Sequence, residues 1–232
     1  MRFARFAALA AVAGVSFVGY ESPASAAACV AGSVATYTAP GFSCNVEGVT
    51  FSNISVTPTL TGATASVTLN GFTVFDSGGE FGLNLIYTAS ATAPGDKADI
   101  AWTMNVSGNL LHDALLILAG NTTGDGQIGV NEQLVGTNPP VSLSLNGAGQ
   151  TSATFAPVAS LFVIKDDFAL LPGTCPGRDA STCTGFATSS VLTNAYSLTN
   201  VPIPGAVGLF ATGLGMMGLL GWRRKRNTKA FA

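Results

Sequence analysis

The sequence predicts an all-β protein, an antiparallel two-sheet β-sandwich of about ten to twelve strands followed by a C-terminal transmembrane helix. Three observations carry this. Between residues 49 and 198 apolar and polar residues alternate with a period of two, as in strands with one buried face. Clusters of Gly, Pro, Asn and Asp interrupt the alternation at the spacing of a sandwich, and almost no run of good helix formers lies between them. Near the C-terminus an uncharged apolar span, 203–222, stands directly before four consecutive cations.

The first strand signal is 49–56, VTFSNISV, which alternates over part of its length. It is followed by 65–70 (ASVTLN), 72–75 (FTVF) and 81–87 (FGLNLIY), rich in residues that suit a pleated, half-buried surface. The series continues with 99–106 (DIAWTMNV), 114–118 (ALLIL), 127–132 (QIGVNE), 141–145 (VSLSL), 151–155 (TSATF) and 160–164 (SLFVI), and ends with 190–198 (SVLTNAYSL). Turns fall at 77–80, 93–97, 120–125, 137–140 and 146–149, where Gly supplies positive φ or Pro a fixed one. Ser, Thr and Ala fill much of the alternation, which weakens the assignment of faces but not of class. The expected core draws on Phe51, Ile54, Val67, Leu69, Val74, Leu83, Leu85, Trp102, Met104, Leu115, Ile117, Leu143, Phe155, Phe162 and Ile164.

Both ends read as processing segments. Arg2 and Arg5 precede the apolar run 6–18, and Ala24-Ser25-Ala26 supplies small residues for signal peptidase, so 1–26 reads as a secretory signal. The run is too short for a bilayer span of about 20 residues. A lipid anchor on Cys29 is the weaker reading, because no large aliphatic residue stands three before it. The exported part, 27–200, carries three cations (Lys97, Lys165, Arg178) against eleven carboxylates, an asymmetry hidden by the overall net charge of −2. So acidic a surface is repelled by phosphate backbones, which excludes nucleic acid as a partner.

The four cysteines form two local pairs, Cys29 with Cys44 and Cys175 with Cys183. In an exported chain this count and spacing favour disulfides over metal binding, since neither pair is CxxC and the chain has one histidine. No cofactor is expected. The segment 121–132 (NTTGDGQIGVNE) matches a calcium loop in part, with Asn121, Thr123, Asp125 and Glu132 as donors and Gly126 at the sixth position. Two carboxylates are few for a divalent cation, and no helices flank the loop. A hairpin turn with Glu132 projecting from the next strand is the preferred account, and calcium the alternative. His112-Asp113 has no GxSxG or other placed serine to serve and reads as a surface turn. Asp166-Asp167 cannot share a glycosidase site, because neighbours in extended chain face opposite ways, and reads as an exposed strand end. Phe42 to Asn45 reads as a disulfide corner. These residues predict a protein that is not an enzyme.

The tail is the most specific signal. At 1.5 Å per residue, the span 203–222 makes about 30 Å of helix, enough for a hydrocarbon core. Pro202 and Pro204 suit its start, Trp222 an interface, and Arg223, Arg224, Lys225 and Arg226 fix that end in the cytoplasm, with 227–232 as a short cytoplasmic tail. Six glycines (Gly205, Gly208, Gly213, Gly215, Gly218, Gly221) permit close helix packing. Pro-x-Pro, a Gly-rich apolar span and a terminal basic cluster, together 201–226, resemble the PEP-CTERM sorting signal, also catalogued as the ice-binding protein C-terminal domain. Pro202-Ile203-Pro204 stands where Pro-Glu-Pro is usual.

The resemblance implies a Gram-negative bacterium, export, and processing by signal peptidase and then by an integral-membrane exosortase that cuts near the proline motif. It also implies an inner-membrane-anchored intermediate and delivery to the cell surface or extracellular polymer. Ice binding as an activity is not implied. The expected function is that of a non-catalytic surface or extracellular-matrix protein, with exopolysaccharide as a candidate partner. The alternative is a calcium-assisted carbohydrate-binding module using the 121–132 loop.

Overall fold

The computed structural model describes residues 26–175 and 183–199. The signal segment up to residue 25 and the whole tail from residue 200, with its proline motif, apolar span and basic cluster, lie outside the described residues. The described chain is almost all β. Its elements are β1 (Ala27–Ala28), a single turn of helix α1 (Val34–Tyr37), β2 (Ser43–Val46), β3 (Val49–Thr61), β4 (Ser66–Ser77), β5 (Glu80–Ala91), β6 (Lys97–Gly124), β7 (Gln127–Val135), β8 (Val141–Asn146), β9 (Gly149–Leu170) and β10 (Gly185–Leu198).

The ten strands form one hydrogen-bonded sheet that folds back on itself into two layers. Two long strands, β6 and β9, pair along nearly their whole length and bend together. Their register jumps between Ser107 and Leu111, and Leu110 adopts a positive φ of 62°. Before the bend β6 pairs with β3, and after it with β10. Layer one is therefore β1-β2-β3, the first half of β6, the second half of β9, β7 and β8; layer two is the first half of β9, the second half of β6, β10, β5 and β4. The expected sandwich is present, with chains crossing between layers as strands rather than loops.

Several expected strand ends are bends inside one strand. Gly71, at φ 140°, marks a register shift and not the close of a strand, so 65–70 and 72–75 are one element. Pro157 interrupts the period of β9 at the irregular stretch where β6 and β9 bend, a place where a missing N–H is tolerated. The turn at Asp125-Gly126 is tight, with Gly126 N–H donating to Thr123 O, but β7 pairs with β8 and β9, so it carries the chain between layers and is not the expected hairpin.

Phe51, Ile54, Leu83, Leu85, Trp102, Met104 and Leu143 are buried as expected. Val67, Leu69, Val74 and Phe155 are half-buried and pack against the same core, but in the second halves of β6 and β9 the faces are exchanged. Leu116 and Leu118 point inward in place of Leu115 and Ile117; Leu161 and Val163 are buried, while Phe162 and Ile164 are 40% and 38% exposed. At the open side, Tyr37 stacks on Phe72 at 4.6 Å and donates its hydroxyl to Val30 O at 2.6 Å, while Gly32 and Phe72 exchange backbone hydrogen bonds. Both expected disulfides are present, Cys29–Cys44 tying β1 to β2 and Cys175–Cys183 joining the end of β9 to the approach to β10.

Candidate functional site

The exchanged face of β9 creates a groove on the outer surface of layer one. Register partners set its floor: Gln133 opposite Ile164 and Ser142, Asn131 opposite Asp166 and Ser144. Because alternate residues of β7, β8 and β9 face the same way, Asn131, Gln133, Ser142, Ser144, Ile164 and Asp166 all line one hollow of about 390 Å³. Amides and hydroxyls cover one side; Phe162, paired with Val135 one register step on, extends the apolar flank. Burial raises the Asp166 carboxyl above its usual range, helped by a hydrogen bond with Asp99 and opposed by Lys97, which is itself ion-paired to Asp99. Amides and hydroxyls with one carboxyl, Asp166, beside an apolar strip suit a polyhydroxylated ligand.

On the opposite side of the same strands, between the layers, lies a polar cluster in an otherwise apolar core. Lys165 and Glu132 are register partners in β9 and β7, both with fully buried side chains. Facing them from β10, Asn194 donates through Nδ2 to both Glu132 oxygens, at 2.9 and 3.0 Å, and accepts at Oδ1 from the Tyr196 hydroxyl. Two residues further along β9, Asp167 accepts hydrogen bonds from Tyr87 and Ser189. Lys165 Nζ sits 3.9 Å above the centroid of Trp102 and 3.9 Å from Glu132 Oε2, with no hydrogen-bond acceptor among the described residues. Burial pulls Lys165 down to about 7 against the attraction of Glu132 and Asp167, and pushes Glu132 up against Lys165 and the Asn194 amide. Burial likewise pushes Asp167 up to about 7 despite its hydrogen bonds.

The sequence-predicted candidates separate. The calcium-loop donors do not converge, since Thr123 Oγ1 and Asp125 Oδ2 accept from the backbone N–H groups of Phe186 and Thr184, whereas the Glu132 carboxylate is inside the core on Asn194. Asn121 is an exposed strand residue whose carbonyl accepts from Thr188. Asp125 does lie near Cys175 and Cys183, but both sulfurs are bonded to each other and offer no thiolate. His112 belongs to β6 rather than to a surface turn; Ser197 Oγ lies 3.4 and 3.3 Å from its two ring nitrogens, and Asp113 is 3.8 Å from Nε2. Ser197 lies beside both ring nitrogens at once and not on the nitrogen opposite the carboxylate alone, which is not the ordered serine–imidazole–carboxylate geometry of a triad. Asp166 and Asp167 do face opposite ways, but mid-strand, with Asp167 buried and not at an exposed strand end. The sequence reading missed the Lys165, Glu132 and Asn194 cluster. Lys165 is one of only two lysines in 27–200, set in an apolar run, and that rarity was the available signal.

No family model and no curated protein matches the sequence. Among solved structures, the chain is similar to the enzymatically active domain of tailspike protein 4 of bacteriophage CBA120, at 13% identity and a TM-score of 0.33, over 60% of this chain and 19% of that one. It is also similar to TmCBM61, solved in complex with β-1,4-galactotriose, at 9% identity and a TM-score of 0.28, over 57% and 88% of the two chains. A structure of infectious bursal disease virus, Gx strain, is similar at 12% identity and a TM-score of 0.20, over 68% and 35%.

Proposed function

We propose that the chain is an exported, non-catalytic β-sandwich of the bacterial surface or extracellular matrix, which meets polysaccharide through the groove on the outer face of layer one. The observation that carries this reading is the juxtaposition of Asn131, Gln133, Ser142 and Ser144 with the exposed Ile164 and Phe162. Sugar hydroxyls are matched by amides and hydroxyls, and the apolar C–H faces of a sugar ring by an aliphatic or aromatic side chain. The two disulfides fit an extracellular or periplasmic environment. The 121–132 loop has no part in this reading, because its donors are engaged elsewhere. Export and delivery are assigned to the signal segment and to the PEP-CTERM-like tail, with signal peptidase and exosortase as the processing partners.

Affinity electrophoresis through gels containing exopolysaccharide of the native host tests the reading. The protein should be retarded, with or without chelator, and Phe162→Ala or Gln133→Ala should weaken retention by about tenfold, equivalent to about 1.4 kcal/mol. Equal mobility in gels with and without polysaccharide would overturn it.

A further inference from the structure

The geometry points to an intramolecular isopeptide bond between Lys165 Nζ and Asn194 Cγ, formed autocatalytically with Glu132 as the proton carrier. Three features of the buried cluster lead there, and none depends on where the protein is delivered.

The first is the state of Lys165. A fully buried ammonium normally needs hydrogen-bond acceptors on its protons, and an unpaired one is among the costliest arrangements in a core. Lys165 has Glu132 only at 3.9 Å and the face of Trp102 below it. The same burial lowers its affinity for protons and so favours the neutral amine, which is the nucleophilic form.

The second is the state of Asn194. Its carboxamide is completely buried and gripped at both ends, by Glu132 through Nδ2 and by the Tyr196 hydroxyl at Oδ1. A hydroxyl donating to the carbonyl oxygen polarises Cγ towards attack and stabilises the oxyanion that attack creates.

The third is the placement of Glu132. It is adjacent to Lys165 across the β7–β9 ladder and bonded to the nitrogen that would leave. Burial raises its affinity for protons, so it can take one from the attacking amine and give one to the departing amide nitrogen.

The step balances without oxidant, metal or water. The Nζ–Cγ bond forms, the Cγ–Nδ2 bond breaks, one proton passes from Nζ to Nδ2 through Glu132, and ammonia is released. The lysine amine and the asparagine carboxamide become a secondary amide, and the core no longer holds an amine without a hydrogen-bond acceptor. Because Lys165 lies in layer one and Asn194 in layer two, the product is a covalent strut across the core, tying β9 to β10.

Peptide mapping of the full chain by mass spectrometry, after reduction and chymotryptic digestion, tests the bond directly. The expected result is one branched peptide joining the Lys165 stretch to the Asn194 stretch, in a chain lighter than its sequence by one ammonia. Two separate, unmodified peptides would overturn the proposal, and so would an ammonia deficit confined to the Asn194 peptide, which marks a succinimide. Glu132→Gln, with folding checked by disulfide formation and near-ultraviolet circular dichroism, should abolish the branched peptide. A folded E132Q that still forms it would remove Glu132 from the reaction. If E132Q does not fold, the presence or absence of the branched peptide in the wild-type digest still upholds or overturns the bond.

Discussion

Carboxylates carry opposite pH signatures depending on what surrounds them. Asp96 is buried, which raises its proton affinity, yet hydrogen bonds from Thr64, Ala93 and Thr92 outweigh that and hold it below its usual range. Its folded-state value is depressed, so its stabilisation is present above the unfolded value and is lost as pH falls through the folded one. Glu80 behaves in the reverse sense. Burial, and then the Asp113 carboxylate beside it, push Glu80 from 4.5 up to about 7. A raised carboxyl favours the protonated folded state, so stability is lost as pH rises from about 4.5 to about 7. Glu80→Gln removes that loss. Melting temperatures measured across this window should fall less with rising pH in E80Q than in the wild type, and parallel curves would refute the assignment.

Glycine matters at few places, and Gly71 is one of them. A Cβ there would stand 2.5 Å from the Gly32 carbonyl oxygen, on a backbone at φ 140°. Gly32 cannot retreat, because it exchanges two backbone hydrogen bonds with Phe72. Gly71→Ala should therefore cost about 2–3 kcal/mol, read as a lower denaturant midpoint, where an ordinary surface Gly→Ala change costs little.

Among the elements, β9 decided how far the sequence could be read. Strand existence was legible from period-two alternation and turn chemistry, and strands near 49, 81, 127, 141 and 190 stand where the pattern puts them. Length was not legible, because Gly71, the 108–110 stretch and Pro157 look like ends and act as bends. Face was not legible in the run SLFVIKDD either. Leu161 and Val163 are as apolar as Phe162 and Ile164, so the lysine and aspartate that follow were free to break the tie, and the ordinary expectation turns charges outward. The fold turns Lys165 and Asp167 inward because Glu132, Tyr87 and Ser189 from three other strands face them. The partners of Asp167 are 22 and 80 residues away in sequence, beyond any local pattern. The same inversion placed Phe162 and Ile164 outside and so made the groove. Glu132, the last donor of the alternative calcium reading, belongs to the interior for a related reason.

The Cys29–Cys44 disulfide acts on a short element, where the strands are only two and four residues long. It closes a loop of 15 residues, worth roughly 3 kcal/mol in the chain-entropy view. Replacing both cysteines by alanine should lower the unfolding free energy by about that amount, measured by denaturant titration, and leave the β7–β9 groove intact.

For the whole molecule, two layers crossed by the continuous strands β6 and β9 resist sliding, because each layer shares covalent chain with the other. The buried cluster and the Cys175–Cys183 link both bear on β10, the last described strand before the tail. Among the described residues no helix is long and apolar enough to cross a membrane; the span expected at 203–222 lies outside them.

Export followed by removal of the tail is the central claim. Intact-mass analysis of the protein recovered from the surface fraction of its native host tests it most directly. The account predicts a chain that begins at residue 27, ends near Pro202-Ile203-Pro204 and carries both disulfides. A mass that requires residues beyond Trp222 would contradict it and leave the tail as a plain membrane anchor.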